Sequence, residues 1–263
     1  MRLLTEKNRT NLIFTLVAVL ATNVVLRHYI FEEDILSKIL TKVILILITL
    51  LLLFKARFIY YIKPIIKNTL SFLIISVILI VISFNYINIL IENSGNVLNS
   101  KIHFEFLIYC LTIGVFEELF FRVYIYHYLH NICQKKEKNL IQIILITSLI
   151  FGLAHISNIF NPEYIKATVI NQILLAFSIG ILLQSIYIRT KSIILVIAIH
   201  SLIDYFGMFK RYLLKENSTT ISDTYTFDDF ITTFISLLII TLIFIIPVSY
   251  SLIKRKIKKY NNI

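Results

Sequence analysis

The chain contains no tryptophan, and only 5 glycines, 3 prolines and 2 cysteines occur among its 263 residues. So few breakers favour long helices over a sheet. The short alternating segments of a membrane β-barrel are also missing. Cys110 and Cys133 would lie about 34 Å apart on one continuous helix, from 1.5 Å per residue. That is far outside disulfide reach, so no disulfide framework is implied. No internal repeat and no soluble domain large enough to fold alone can be found. A signal-peptide cleavage site is lacking too. MRLLTEKNR leads into an apolar run that continues through Leu26 without a small-x-small motif, which reads as a retained first span.

What is present is apolar length. The hydrophobic fraction is 58% and the mean hydropathy is +0.83. Soluble domains sit nearer half apolar and break their apolar runs with polar faces. The expected class is therefore an all-α, polytopic bundle forming one integral membrane domain over residues 1–263. About eight transmembrane helices fit, each near the roughly 20 residues a bilayer needs. They fall at 10–27, 37–54, 69–91, 104–130, 140–157, 167–188, 192–209 and 229–252.

Charge sets the topology. The net charge is +11, but its lysines and arginines gather in short connections between apolar runs, which speaks against a nucleic-acid partner. Arg2, Lys7 and Arg9 precede span one, 55–67 and QKKEK are basic, and KRKIKKY closes the last span against anionic lipid. The segments FEED, 92–100 and 157–164 are not basic. Both termini are thus expected on the cytoplasmic side of a membrane, with the lipid bilayer as the first partner. Lys210, Arg211 and Lys215 run against this pattern, since their loop would lie outside.

Ionisable residues inside membrane helices are costly, and they form the functional shortlist. Three clusters stand out: Glu117-Glu118-x-x-x-Arg122 in span four, FGLAH ending in His155 in span five, and HSLID with His200 and Asp204 in span seven. Glu118 and Arg122 are at i and i+4, on one helix face, where pairing neutralises both. Glu117 is rotated by about 100° and is left for chemistry. His200 and Asp204 share the i, i+4 spacing, and Phe151 stands in the same relation to His155, where it can hold the imidazole. By depth, Glu117 and His200 fall near mid-membrane and His155 toward the outer half. Convergence on one wet intramembrane cavity would let a glutamate activate water with a histidine partner. A second polar pair would then stabilise the oxyanion. A single shared water requires Glu117 within about 8 Å of His155 or His200.

Each cluster alone has a plainer reading. A Glu–Arg pair can fix helix packing. A lone histidine can bridge helices, and His200 with Asp204 can be a proton relay or a metal element. His28, His103, His127 and His130 fall near span ends, where interfacial placement is the default. The aromatic residues of FFRVYIYHYL read as lipid-facing or interfacial.

EELFFR, FGLAH and HSLID, in that order and in separate spans, resemble the EExxxR, FxxxH and HxxxN/D motifs of the CPBP family. That group contains type II CAAX prenyl endopeptidases and bacterial Abi or bacteriocin-processing proteins. The resemblance covers residues 105–206 and implies an intramembrane endopeptidase core. Residue by residue, it assigns Glu117 and His155 to water activation, His200 and Asp204 to the oxyanion, and Glu118 and Arg122 to support. Aspartate replaces the asparagine of many members. Ionised, it cannot donate a hydrogen bond, so it needs a proton or instead orients His200. No cofactor is favoured. The alternative is a zinc enzyme, with Glu117, His155, His200 and Asp204 as ligands. Isoleucine and lysine richness points to an AT-rich bacterial genome, and hence to a membrane protein or peptide precursor as substrate. The rivals are a non-catalytic scaffold or bacteriocin self-immunity protein binding through the same cavity, and a small proton-coupled transporter. The missing inverted repeat counts against the transporter.

Overall fold

A computed structural model describes residues 6–26, 34–62, 100–132, 140–160 and 166–213. The expected spans at 69–91 and 229–252 lie outside the described residues, as do QKKEK, the KRKIKKY tail, Cys133 and His28. Every regular element described is helical. In chain order these are α1 (Glu6–Val25), α2 (Ile35–Lys55), a 3-10 turn (Ile59–Tyr61) and α3 (Ser100–Glu118). A π-helical segment (Leu119–Ile125) and α4 (Tyr126–Ile132) follow without a break. Then come α5 (Leu140–Leu153), a 3-10 segment (Ala154–Phe160), α6 (Lys166–Thr190) and α7 (Ile193–Leu213).

Among the described residues, three stretches are long and apolar enough to cross a membrane: Ile35–Lys55, Leu140–Ile159 and Val169–Thr190. Thr10–Val25 and Ile193–Met208 are shorter apolar helices. This is consistent with a multi-pass membrane protein. Large apolar side chains such as Leu47, Leu51 and Phe54 on α2 are exposed, which suits lipid rather than water as their surroundings.

The helices divide between two compact units. One comprises residues 10–124 and 190–221, and α3 there packs against both α2 and α7. Asp34 starts α2 by accepting from the backbone N–H groups of Leu36 and Ser37, at 3.1 and 3.3 Å, which satisfies two of the helix's orphan donors. Thr41, Leu45, Thr49 and Leu53 form its buried stripe, spaced as one helix face requires. The two threonine hydroxyls donate to the carbonyls of Ser37 and Leu45, at 3.0 and 2.8 Å, so they enter the interior satisfied.

Gly114 sets the distance between α3 and α7. A Cβ there would collide with the Ser201 hydroxyl and sit 3.2 Å from the Ile197 carbonyl oxygen. Small residues allow backbones to approach this closely. The turn of α3 that follows Gly114 carries Glu117 and Glu118.

The other unit comprises residues 1–9, 125–189 and 222–263. Here α5 and α6 also meet through glycine. A Cβ on Gly152 would lie 2.8 Å from the Ile173 carbonyl oxygen, and one on Gly180 would lie 3.0 Å from Ser148. Ile144 and Ile181 make a small core with Leu140, Phe177 and Ile188 around it.

The aromatic residues of FFRVYIYHYL depart from the lipid-facing expectation. Phe120, Phe121, Tyr124 and Tyr126 are all buried. Phe116, Phe120 and Tyr124 stack in succession, with ring planes 15° and 9° apart. His127 is buried as well, 3.0 Å from the Tyr187 hydroxyl, rather than interfacial. Sequence pattern cannot separate lipid-facing from buried aromatics when every side of a helix is apolar. Here the charged turn that the segment carries has to be enclosed, and its apolar neighbours go in with it.

Candidate active site

The first and third clusters lie in one unit, on α3, the π segment and α7. Glu118 and Arg122 are fully buried, and Arg122 Nε stands 3.0 Å from Glu118 Oε2. The approach is a charge contact without hydrogen-bond alignment. The other carboxylate oxygen is committed elsewhere: His200 Nδ1 lies 2.7 Å from Glu118 Oε1. A carboxylate paired with an arginine is ionised and can only accept, so the Nδ1 position carries a proton and donates it to Glu118. Arg122, Glu118 and His200 therefore form a chain that fixes both the imidazole plane and the nitrogen left free. The π winding begins immediately after Glu118. π segments widen the helix and often occur at functional positions.

The free nitrogen faces two acids. His200 Nε2 is 3.7 Å from Glu117 Oε2 and 3.6 Å from Asp204 Oδ2. Both separations exceed a direct hydrogen bond, and such contacts commonly tighten only when substrate is bound. The Glu117 distance lies well inside the 8 Å that sharing a water with His200 demands. Two carboxylates would repel an imidazole lone pair aimed between them. The arrangement therefore calls for a proton within the group, on Nε2 or on one of the acids.

Exposure separates the carboxylates. The side chain of Glu118 is fully enclosed, whereas Glu117 and Asp204 retain 15% and 20% of their accessible surface. The two acids at Nε2 can be reached by a substrate or water, and the one at Nδ1 cannot. Asp204 Oδ2 makes no hydrogen bond among the described residues.

His155 belongs to the other unit, in the 3-10 segment after α5. Its Nδ1 is 3.1 Å from the Phe151 carbonyl oxygen. A carbonyl only accepts, so Nδ1 carries a proton, and in the neutral ring Nε2 keeps its lone pair. The Phe151 ring meets the imidazole edge-on, with centroids 5.4 Å apart and planes at 82°. Two restraints thus hold this ring, from the residue one helical turn back.

For zinc, the donor chemistry of Glu117, His200 and Asp204, in the unit of α3 and α7, is of the right kind. Among the described residues no group of three or more His, Cys, Asp or Glu side chains is placed to hold a metal ion. As arranged, these three residues do not fit a metal.

One charged residue was missed in the sequence. Lys42 lies within α2, the most apolar of the membrane-length helices. Its ammonium donates to Asn23 Oδ1 at 3.3 Å and stands 5.3 Å over the Phe116 ring. The rule that singled out Glu117 applies equally to a lysine in LTKVI, and it would have found this one.

An imidazole tied to a buried ion pair and presented to two accessible carboxylates is an arrangement capable of acid–base chemistry. Residues 99–206 match the family model for type II CAAX prenyl endopeptidase Rce1-like proteins, and this segment is a domain of that family. It runs from the head of α3 into α7 and contains all three motifs. The family implies an intramembrane protease. No curated protein and no solved structure matches the chain.

Proposed function

We propose that the protein is an intramembrane endopeptidase that cleaves a membrane protein or peptide precursor with water activated by Glu117. The observation that carries this reading is the Arg122–Glu118–His200 chain, which presents Nε2 to Glu117 and Asp204 at 3.7 and 3.6 Å. Glu117 is the general base on water. His200, protonated on both nitrogens, donates Nε2–H to the oxyanion of the tetrahedral intermediate. Asp204 orients and charge-balances that imidazolium, and so has no need to donate a hydrogen bond itself. His155 is assigned as partner base on the family pattern, and its Nε2 lone pair suits the role. Attack forms the C–O bond as Glu117 takes the water proton. Collapse breaks the C–N bond, with that proton passed to the leaving amine.

The wider setting of this reading is a single integral domain over residues 1–263, a bundle of about eight transmembrane helices around a wet cavity. Its protease core would be 105–206, in a bacterial cytoplasmic membrane with both termini cytoplasmic. The test is cleavage of co-expressed membrane peptides by wild type, Glu117→Ala and His200→Ala. Both variants are expected to lose cleavage while remaining folded. Persistent cleavage by Glu117→Ala would overturn the mechanism, and a scaffold or immunity protein would cleave in none of the three.

A further inference from the structure

The segment that carries His155 is wound as a 3-10 helix for 7 residues, Ala154–Phe160. Such winding has poorer hydrogen-bond geometry than an α-helix and is uncommon beyond about 4 residues. A run of this length therefore needs support from outside its own backbone. Part of it is local: the Ser157 hydroxyl donates to the Ala154 carbonyl at 3.3 Å. The rest comes from α6. Asn158 Nδ2 donates to Gln172 Oε1 at 2.8 Å, between two partly buried side chains of one unit. At three residues per turn, positions i and i+3 eclipse, so Asn158 stands over His155 on the same face, about 6 Å further along. On the other side of the histidine, three residues back, Gly152 brings the backbone against α6. A Cβ there would lie 2.8 Å from the Ile173 carbonyl oxygen. Gln172 and Ile173 are neighbours in the chain, so His155 is bracketed by two attachments to one turn of α6.

We infer that Asn158 and Gln172 are positioning residues, whose amide–amide bond fixes the rotation of the 3-10 segment on α6 and with it the direction of the His155 ring. Phe151 restrains the imidazole relative to α5. The Asn158–Gln172 bond restrains the backbone beneath it relative to α6. Without that bond the segment can rewind, and each residue that returns to α-helical pitch turns the ring by about 20°. Two amides suit the task within apolar helices, because each both donates and accepts and neither brings a charge.

The tie is read without substrate, from the His155 ring of the full-length protein in bicelles. Carbon-13 relaxation of labelled histidine reports ring mobility, with the signal assigned by its absence in H155Q. The wild-type ring is expected to be rigid, with an order parameter above about 0.8, and N158L to bring it below about 0.6. The exchanged pair N158Q/Q172N keeps the summed length of the two amides and is expected to restore the rigid ring. An unchanged ring in N158L, or no recovery in the exchanged pair, would overturn the assignment even if stability fell. Where N158L does not fold, Q172M removes the same bond from the α6 side. The effect on the reaction rests on the peptidase reading. Given cleavage by wild type, N158L is expected to lower kcat about ten-fold at unchanged KM, and the exchanged pair to restore it. A mobile ring with kcat unchanged would overturn the role in the reaction and leave the peptidase reading intact. A wild type that cleaves nothing would sink the peptidase reading, and the ring measurement would still decide the tie.

Discussion

Replacing Glu118 by glutamine tests the central chain with almost no change of volume. Glutamine offers one acceptor and one donor group where glutamate offers two acceptors. Arg122 is fully buried and can only donate, so it captures the amide oxygen. The amide NH2 is then turned toward His200 Nδ1, which now lies opposite a donor. His200 sheds its Nδ1 proton and keeps the one on Nε2, becoming neutral. Two consequences follow with magnitudes. Removing one member of a buried ion pair costs about 3 kcal/mol, the low end for such pairs. The low end applies because Glu117 also attracts the guanidinium. Replacing a charged oxyanion donor by a neutral one lowers the rate about 100-fold, the scale seen when such a donor is weakened or removed. Nitrogen-15 NMR of labelled histidine reads the protonation directly: wild-type His200 is expected with both nitrogens protonated, and Glu118→Gln with Nε2 alone. SDS-titration unfolding reads the stability. An unchanged His200 spectrum in the variant would refute the idea that Glu118 governs this imidazole, whatever happened to activity.

Two further outcomes follow from the helix contacts. Gly114→Ala drives a Cβ into the Ser201 hydroxyl and against the α7 backbone, so α3 and α7 must part; unfolding measurements should show a loss of about 1–3 kcal/mol. Ser201→Ala in the same protein should recover part of it, and no recovery would place the strain elsewhere. Asp34 is held below the ordinary carboxylate range, first by the Ser37 hydroxyl; burial opposes this, and the Ser37 and Leu36 backbone N–H groups add to the lowering. Its cap therefore stabilises α2 fully above the unfolded carboxylate value, and that contribution is lost as pH falls through the lowered folded value. Asp34→Ala should accordingly be less thermally stable than wild type at neutral pH, with the difference closing in acid. A difference independent of pH would refute the charged cap.

The membrane class, the helices and the residues that gather on α3 and α7 are legible from sequence for one reason. A charge in a long apolar run has no cheap explanation, so position alone marks it. The i, i+4 spacing of Glu118 and Arg122 likewise anticipates a contact made within a single helix. Spacing says nothing about contacts between helices, and there the reading falls short. It treats Glu118 as a partner for Arg122 and gives no hint that its second oxygen holds His200 from α7 at 2.7 Å. Nor does it reveal the π winding from Leu119 to Ile125, because a change of helical pitch leaves no mark on apolar periodicity when all sides are apolar.

The aromatic stretch shows the same blindness from the other side. Hydropathy grades Phe120, Phe121 and Tyr124 as fit for lipid, and they are equally fit for the interior that encloses Arg122. What decides between the two is the cost of the arginine. A guanidinium held away from water needs both a counter-charge and a dry wall. Glu118 provides the first, and the buried aromatic rings on either side of Arg122 in the chain provide the second.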